Sequence, residues 1–233
     1  MVYSHTMLRS FRHYQTSIGR KQLVATTGLL LILFICGHLV GNLLFFGGPD
    51  LYNGYAAFLA HLRPGLYIIE AILALIFLSH IFITYFLVYK NICARPVGYK
   101  IMTPKADRSF AAQIMPYTGS IILAFIIYHL WDFTFTVHEG AQSILRDGKN
   151  YGLYGLVYNC FSDWVHSTFY IIAMACIGFH LSHGVESLCQ TYGFNHPKYA
   201  GKVRFASNLF GIVVGWGFSA IPVYVLIKNL VNN

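Results

Sequence analysis

Five apolar runs, at about 22–46, 66–90, 113–137, 163–189 and 204–228, constrain this chain more than any other feature. As helices rising about 1.5 Å per residue, each is long enough to cross the roughly 30 Å of hydrocarbon in a bilayer. Breakers separate them. Gly47-Gly48-Pro49-Asp50 ends the first and Arg63-Pro64-Gly65 opens the second. Arg95-Pro96 and Thr103-Pro104 fill the next loop, and Asn195-His196-Pro197 precedes the fifth. Only 10% of the residues are charged and 56% are hydrophobic, whereas a soluble domain carries about 25% charged residues. The sequence therefore predicts an all-α membrane protein. A single transmembrane domain spans 1–233, with five helices and no separate soluble unit.

The first run is too long for a signal-peptide core and has no A-x-A cleavage site after it, so it is expected to be a retained first helix. Pro116 falls near the start of the third run, where it is tolerated, and Pro222 lies inside the fifth, where a kink is expected. No internal repeat or low-complexity tract stands out.

Charge sets the orientation. Of the 16 Lys and Arg, all but Arg63, Arg146, Lys149 and Lys228 flank one side of the runs. Cytoplasmic loops carry the excess of basic residues, so the N-terminus is expected in the cytoplasm and the C-terminus outside, in a multi-pass protein of the cytoplasmic membrane. The net charge of +8 is thus a topology signal. With no basic stripe interleaved with aromatics on a wet surface, nucleic acid is excluded as a partner. The five cysteines, Cys36, Cys93, Cys160, Cys176 and Cys189, form no C-x-x-C pair. They read as small buried hydrophobes, which argues against a zinc or iron–sulfur site in this chain.

Four of the runs carry an embedded histidine: His38, His80, His129 and His180. An ionisable group in hydrocarbon is costly and defaults to a functional hypothesis. Counting from the cytoplasmic ends at about 1.5 Å per residue, His38 and His129 lie roughly 25 Å deep, and His80 and His180 roughly 15 Å. The four therefore form an outer pair from the first and third runs and an inner pair from the second and fourth. Two imidazoles at one depth on facing helices can clamp one metal, and helix bundles hold cofactors this way. The expected architecture is four helices bundled around two stacked haems about 10 Å apart in depth. On the fourth run, depth matching to His80 slightly favours His180 over His183 as the ligand.

Gly37 and Gly41 flank His38, and Gly178 and Gly184 flank His180. These glycines suit either the edge of a macrocycle or close packing of membrane helices. Arg20, Lys21 and Arg108, at the inner ends of the first and third runs, are candidates to bind haem propionates. Each also fits a plain role as a positive-inside residue. On the outer side, Asn42, His61, Glu70, Trp131 and Asp132 could form a quinone pocket in which a carboxyl group relays protons. The alternative for Glu70 is a helix cap or a pair with Arg63, and for Asp132 the ordering of a neighbour. Glu186, near the inner end of the fourth run, is expected to pair with a basic loop residue.

The motifs Ser17-Ile18-Gly19-Arg20-Lys21, Thr27-Gly28-Leu29, His38-Leu39-x-Gly41-Asn42-Leu43, Tyr52-Asn53-x-Tyr55-Ala56, His129-Leu130-Trp131-Asp132-Phe133 and Phe179-His180-Leu181-Ser182-x-Gly184 resemble the membrane cytochrome b subunit of succinate dehydrogenase/fumarate reductase. The resemblance is to the single-chain, five-helix, di-haem type called the b558 family, and it runs from about residue 15 to 230. It implies two haems b, the inner held by His80 and His180 and the outer by His38 and His129. His180 is then the ligand, and His183 becomes a candidate for a propionate or a loop carbonyl. The resemblance further implies a flavoprotein subunit and an iron–sulfur subunit docked on the cytoplasmic face. The flavoprotein oxidises succinate or reduces fumarate, and electrons pass through this chain to or from membrane quinone, menaquinone in this type. A higher oligomer of the complex is compatible with the sequence. The competing readings are the cytochrome b subunit of a hydrogenase or formate dehydrogenase, and a haem-free transporter or proton channel using the histidines as a relay.

Overall fold

A computed structural model of the chain describes residues 16–94, 110–136, 140–194 and 196–231. Among them there are seven α-helices and no strand beyond one isolated bridge between Ile144 and Asn150. Helix α1 (Ser17–Leu43) begins at Thr16, whose Oγ1 accepts the Gly19 amide at 3.0 Å, a cap of about 1 kcal/mol. A 3-10 turn, Leu44–Gly47, continues it, and Gly48 at φ 92° then turns the chain. That angle favours glycine. Pro49 sits in the first turn of the short helix α2 (Pro49–His61), where its missing N–H costs nothing. Next come α3 (Gly65–Cys93) and α4 (Phe110–Phe133). The short α5 (Gly152–Ser162) follows, and then α6 (Trp164–Thr191), capped by Asp163 Oδ1, which accepts the Val165 amide at 2.9 Å. Helix α7 (Pro197–Val231) is last.

Helices α1, α3, α4, α6 and α7 are the five long and apolar enough to cross a membrane, so the chain is a helical multi-pass membrane protein. Their bounds lie within a few residues of the apolar runs, except that α7 starts seven residues earlier than the expected 204. Because α4 begins at Phe110, Pro116 lies in its second turn, with Ser120 Oγ donating back to the Pro116 carbonyl at 2.8 Å. Helix α7 runs through Pro222 without a break. The two short helices α2 and α5 were not expected. They pack on each other and cap the outer end of the bundle. Asn53 ties them by donating to the Tyr151 carbonyl (2.8 Å) and accepting the Tyr154 amide (3.0 Å). Phe45, almost fully buried, stacks on Tyr154 with ring centroids 4.4 Å apart.

The most extensive helix contact joins α6 to α7, and glycines explain it. A Cβ on Gly178 would meet the Gly211 carbonyl oxygen at 2.9 Å, and one on Gly215 would meet the Met174 carbonyl at 3.1 Å. Gly211 in turn lies directly against the Gly178 carbonyl. Lipid tails are as apolar as leucine, so such close backbone approach, not a hydrophobic drive, is what holds membrane helices together. Gly178 is therefore a helix-packing residue. Gly41 likewise admits a ring, that of Tyr55 on α2.

Helix α1 packs between α3 and α6, and α4 packs on α6. Helix α3 buries no residue. Its Ile68, Ile72, Leu75, Leu78 and Phe82 are exposed, as suits a face turned to lipid. Across the bundle, Tyr85 of α3 and Ser120 of α4 share a hydrogen bond of 2.7 Å.

Candidate functional site

The outer histidine pair meets face to edge. The rings of His38 on α1 and His129 on α4 lie 5.9 Å apart at 78°. Aromatic neighbours hold both from either side. Phe34 stacks on His38 (5.4 Å) and Phe125 on His129 (5.6 Å), each one helical turn before its histidine. Phe218 of α7 closes on His38 at 5.7 Å. Nδ1 of His129 is buried with no hydrogen-bond partner in the protein. Two imidazoles on opposite sides of one metal, each bond about 2 Å, would put their ring centroids roughly 6 Å apart. The observed spacing matches that clamp.

The inner pair is built differently. His80 of α3 reaches α1, where Thr27 Oγ1 lies 3.0 Å from its Nδ1. His180 of α6 reaches α4, where Thr118 Oγ1 lies 3.3 Å from its Nδ1. Glycine makes room in both cases. A Cβ on Gly28 would meet Cε1 of His80 at 3.3 Å, and a Cβ on Gly119 would meet Cε1 of His180 at 3.3 Å. His80 and His180 are within electrostatic reach of each other, as are His180 and His183. Gly37, which is exposed, and Gly184 have nothing within 4 Å of a built Cβ. The 5.9 Å spacing of the outer pair, and the Thr-Gly seats of the half-buried His80 and His180, are compatible with two bis-histidine groups.

The other candidates for the cofactor are spread along the inner end. The Arg20 guanidinium lies over the Phe86 ring at 4.6 Å, and Lys90 approaches the same ring at 5.7 Å, so the two cations clasp the ends of α1 and α3. Lys21 is exposed. His183 is half-buried, nearly one turn beyond His180 on α6. Arg108 lies outside the described residues. Glu186 pairs at 3.3 Å with Arg204, which lies within α7 and not in a loop, because that helix begins at Pro197.

On the outer side, the structure divides the five quinone candidates. Trp131 and Asp132 line a cavity of about 330 Å³ together with Thr136, Gln142, Leu156, Asn159 and Cys160. Asn42 donates instead to the His38 carbonyl at 2.8 Å. Glu70 pairs with Arg63 at 3.5 Å on an exposed helix end, and His61 is exposed in the last turn of α2. None of these three lines the cavity.

What the sequence did not suggest is the polar cluster behind Asp132. Tyr170 donates to Asp132 Oδ2 at 2.7 Å, and His166 Nε2 lies 3.5 Å from the same oxygen. The His166 ring stacks on Tyr170 at 4.8 Å, and its Nδ1 is 3.0 Å from the Tyr128 hydroxyl. The Asp132 and His166 side chains are only 15% and 12% exposed, so they meet in a largely dry setting. His166 Nε2 makes no hydrogen bond in the protein, and a carboxylate and an imidazole this close beside a cavity could share a proton through one bridging water. Tyr170 also touches His129, with ring centroids 6.2 Å apart, so the cluster adjoins the outer pair. His166 lies one turn inside the fourth run, and its position three residues after Asp163 gave no periodic signal.

The fold and the paired histidines define a multi-pass helical membrane protein with two internal imidazole pairs and an outer acid–base cluster. Among the described residues, no three of His, Cys, Asp and Glu converge as a compact metal site would require. The chain matches no family model, and no curated protein or solved structure is significantly similar to it.

Proposed function

We propose that this chain is the di-haem membrane anchor of a succinate:quinone oxidoreductase, a cytochrome b of the type its motifs resemble. His80 and His180 would hold the inner haem b, and His38 and His129 the outer one. The chemistry that such groups would supply there is one-electron transfer, with the four histidines as the residues that hold them. The observation that supports this reading is the meeting of His38 and His129, with rings 5.9 Å apart, while His80 and His180 seat on Thr-Gly steps of the same two helices.

The chain's own residues supply the rest. The basic inner side, with Arg20, Lys21, Lys90, Lys198 and Lys202 among the described residues, offers a docking face for iron–sulfur and flavoprotein subunits. The cavity beside Trp131 and Asp132 would take a quinone ring. Asp132 and His166 would then exchange protons with its oxygens while electrons arrive through the outer pair. Menaquinone is the quinone this type of anchor uses.

The test is direct. The chain, purified in mild detergent, is assayed for haem and for its reduced-minus-oxidised spectrum. Two haems b per chain, with flavin and iron–sulfur subunits co-purifying, are expected. A chain that folds and carries no haem overturns the proposal and favours a haem-free transporter. Haem with a different set of partner subunits would place the chain in another quinone-linked complex.

A further inference from the structure

The two halves of the bundle repeat a pattern that becomes visible only through its contacts. Thr27-Gly28, Phe34 and His38 on α1 recur as Thr118-Gly119, Phe125 and His129 on α4, in the same register. Each element of the pattern does the same thing twice. The phenylalanine stacks on the histidine that follows it. That histidine joins the outer pair. The Thr-Gly step, 11 residues earlier, receives the imidazole of the next span, His80 in one half and His180 in the other.

A hydroxyl has one proton to give. Thr27 Oγ1 donates it to its own helix, with the Leu23 carbonyl at 2.8 Å and the Val24 carbonyl at 3.1 Å. Thr118 Oγ1 likewise donates to the Met115 carbonyl at 3.1 Å. With its proton turned to its own helix, each hydroxyl would face the imidazole as an acceptor, and the histidine Nδ1 would carry the hydrogen. A neutral imidazole protonated at Nδ1 has its lone pair at Nε2, the form that ligates a metal. Resting on the di-haem reading above, we propose that Thr27 and Thr118 are positioning residues for the inner haem. Each holds its partner imidazole in the ligating tautomer and turns Nε2 toward the space between His80 and His180. Gly28 and Gly119 are the matching absence of a side chain, letting the ring lie close to the helix.

An acceptor on Nδ1–H makes an axial imidazole more basic, which favours the ferric state and lowers the haem potential. Thr27→Val and Thr118→Val keep the side-chain shape and remove the acceptor. In the purified chain, each is expected to raise the midpoint potential of one haem and leave the other in place. Loss of that haem to an apo-protein acceptor should be roughly 10- to 100-fold faster. Thr27→Ser and Thr118→Ser keep the hydroxyl and should restore the wild-type potential. Valine variants with both potentials and haem retention unchanged would refute the inference, as would variants that disturb both haems alike. A wild-type chain without haem would instead refute the reading on which it rests.

Discussion

His180 and His183 stand on the same helix, three residues apart, yet the structure gives only His180 a place in the repeated scheme. It seats against Thr118 and Gly119 of α4 and lies within reach of His80. His180→Ala is expected to remove the inner haem, whereas His183→Ala should retain both, as read by haem per chain and the difference spectrum. At the outer end, the acid–base pair is the residue whose loss should cost turnover without costing cofactor. Asp132→Asn and His166→Gln are each expected to slow quinone-linked electron transfer by about 100-fold, the usual scale for a positioned proton-transfer group. Haem content should not change. Loss of haem in these variants would show that the cluster supports the outer pair and does not serve a quinone.

At the level of elements, the α6–α7 seam and the outer cap make separate predictions. Gly211 sits against the Gly178 carbonyl, so Gly211→Ala must push the helices apart. Overpacking of this kind costs about 1–3 kcal/mol, and the variant should lose its helical signal at a lower temperature in detergent. The turn between the Ile144–Asn150 bridge residues is held by Asp147. Tyr151 donates its hydroxyl to this carboxylate at 2.7 Å and the Lys149 amide donates at 3.1 Å. These bonds, the tyrosine first, hold the Asp147 carboxyl below its ordinary value. A depressed carboxyl stabilises the turn fully above its unfolded pKa and loses that contribution as pH falls through the folded one. Amide exchange at 148–151 should therefore quicken only in acid below the ordinary carboxylate range, and Asp147→Asn should abolish that dependence. The turn matters to the site because Asn159, which lines the outer cavity, donates to the carbonyls of Gln142 and Ile144.

For the whole molecule, orientation is the property everything else depends on. On the proposed di-haem reading, electrons from soluble partners would enter at the inner pair only if the ends of α3 and α6 nearest His80 and His180 face the cytoplasm. Cys93, exposed at the end of α3, is expected to react with an impermeant maleimide only when the inner face is open. A cysteine placed at Asp147 should react from the outside. Labelling in the reverse sense would invert the electron path. The depth of the two sites is also a whole-molecule quantity. Counting residues put the pairs about 10 Å apart. The Thr-Gly steps that receive His80 and His180 lie 11 residues before His38 and His129 on α1 and α4.

The sequence alone determined the five spans, since a run of apolar residues long enough to cross hydrocarbon has few other uses. It also gave an expected direction through the basic loops and singled out the four histidines, because an ionisable group in hydrocarbon is costly. Their pairing by depth was legible too, as helical rise is fixed per residue. Only the tertiary structure decided which small residues do what. Gly178 packs a helix, Gly28 and Gly119 seat imidazoles, and Gly37 faces open space, although all four look alike in sequence. It alone separated Trp131 and Asp132 from Asn42, His61 and Glu70, and it brought His166 and Tyr170 to Asp132. The Thr-Gly steps were visible as letters, but their partners lie 53 and 62 residues away. Helical periodicity reports which face a residue shares with its near neighbours. It carries no record of which other helix that face will meet, and that is settled by packing in three dimensions.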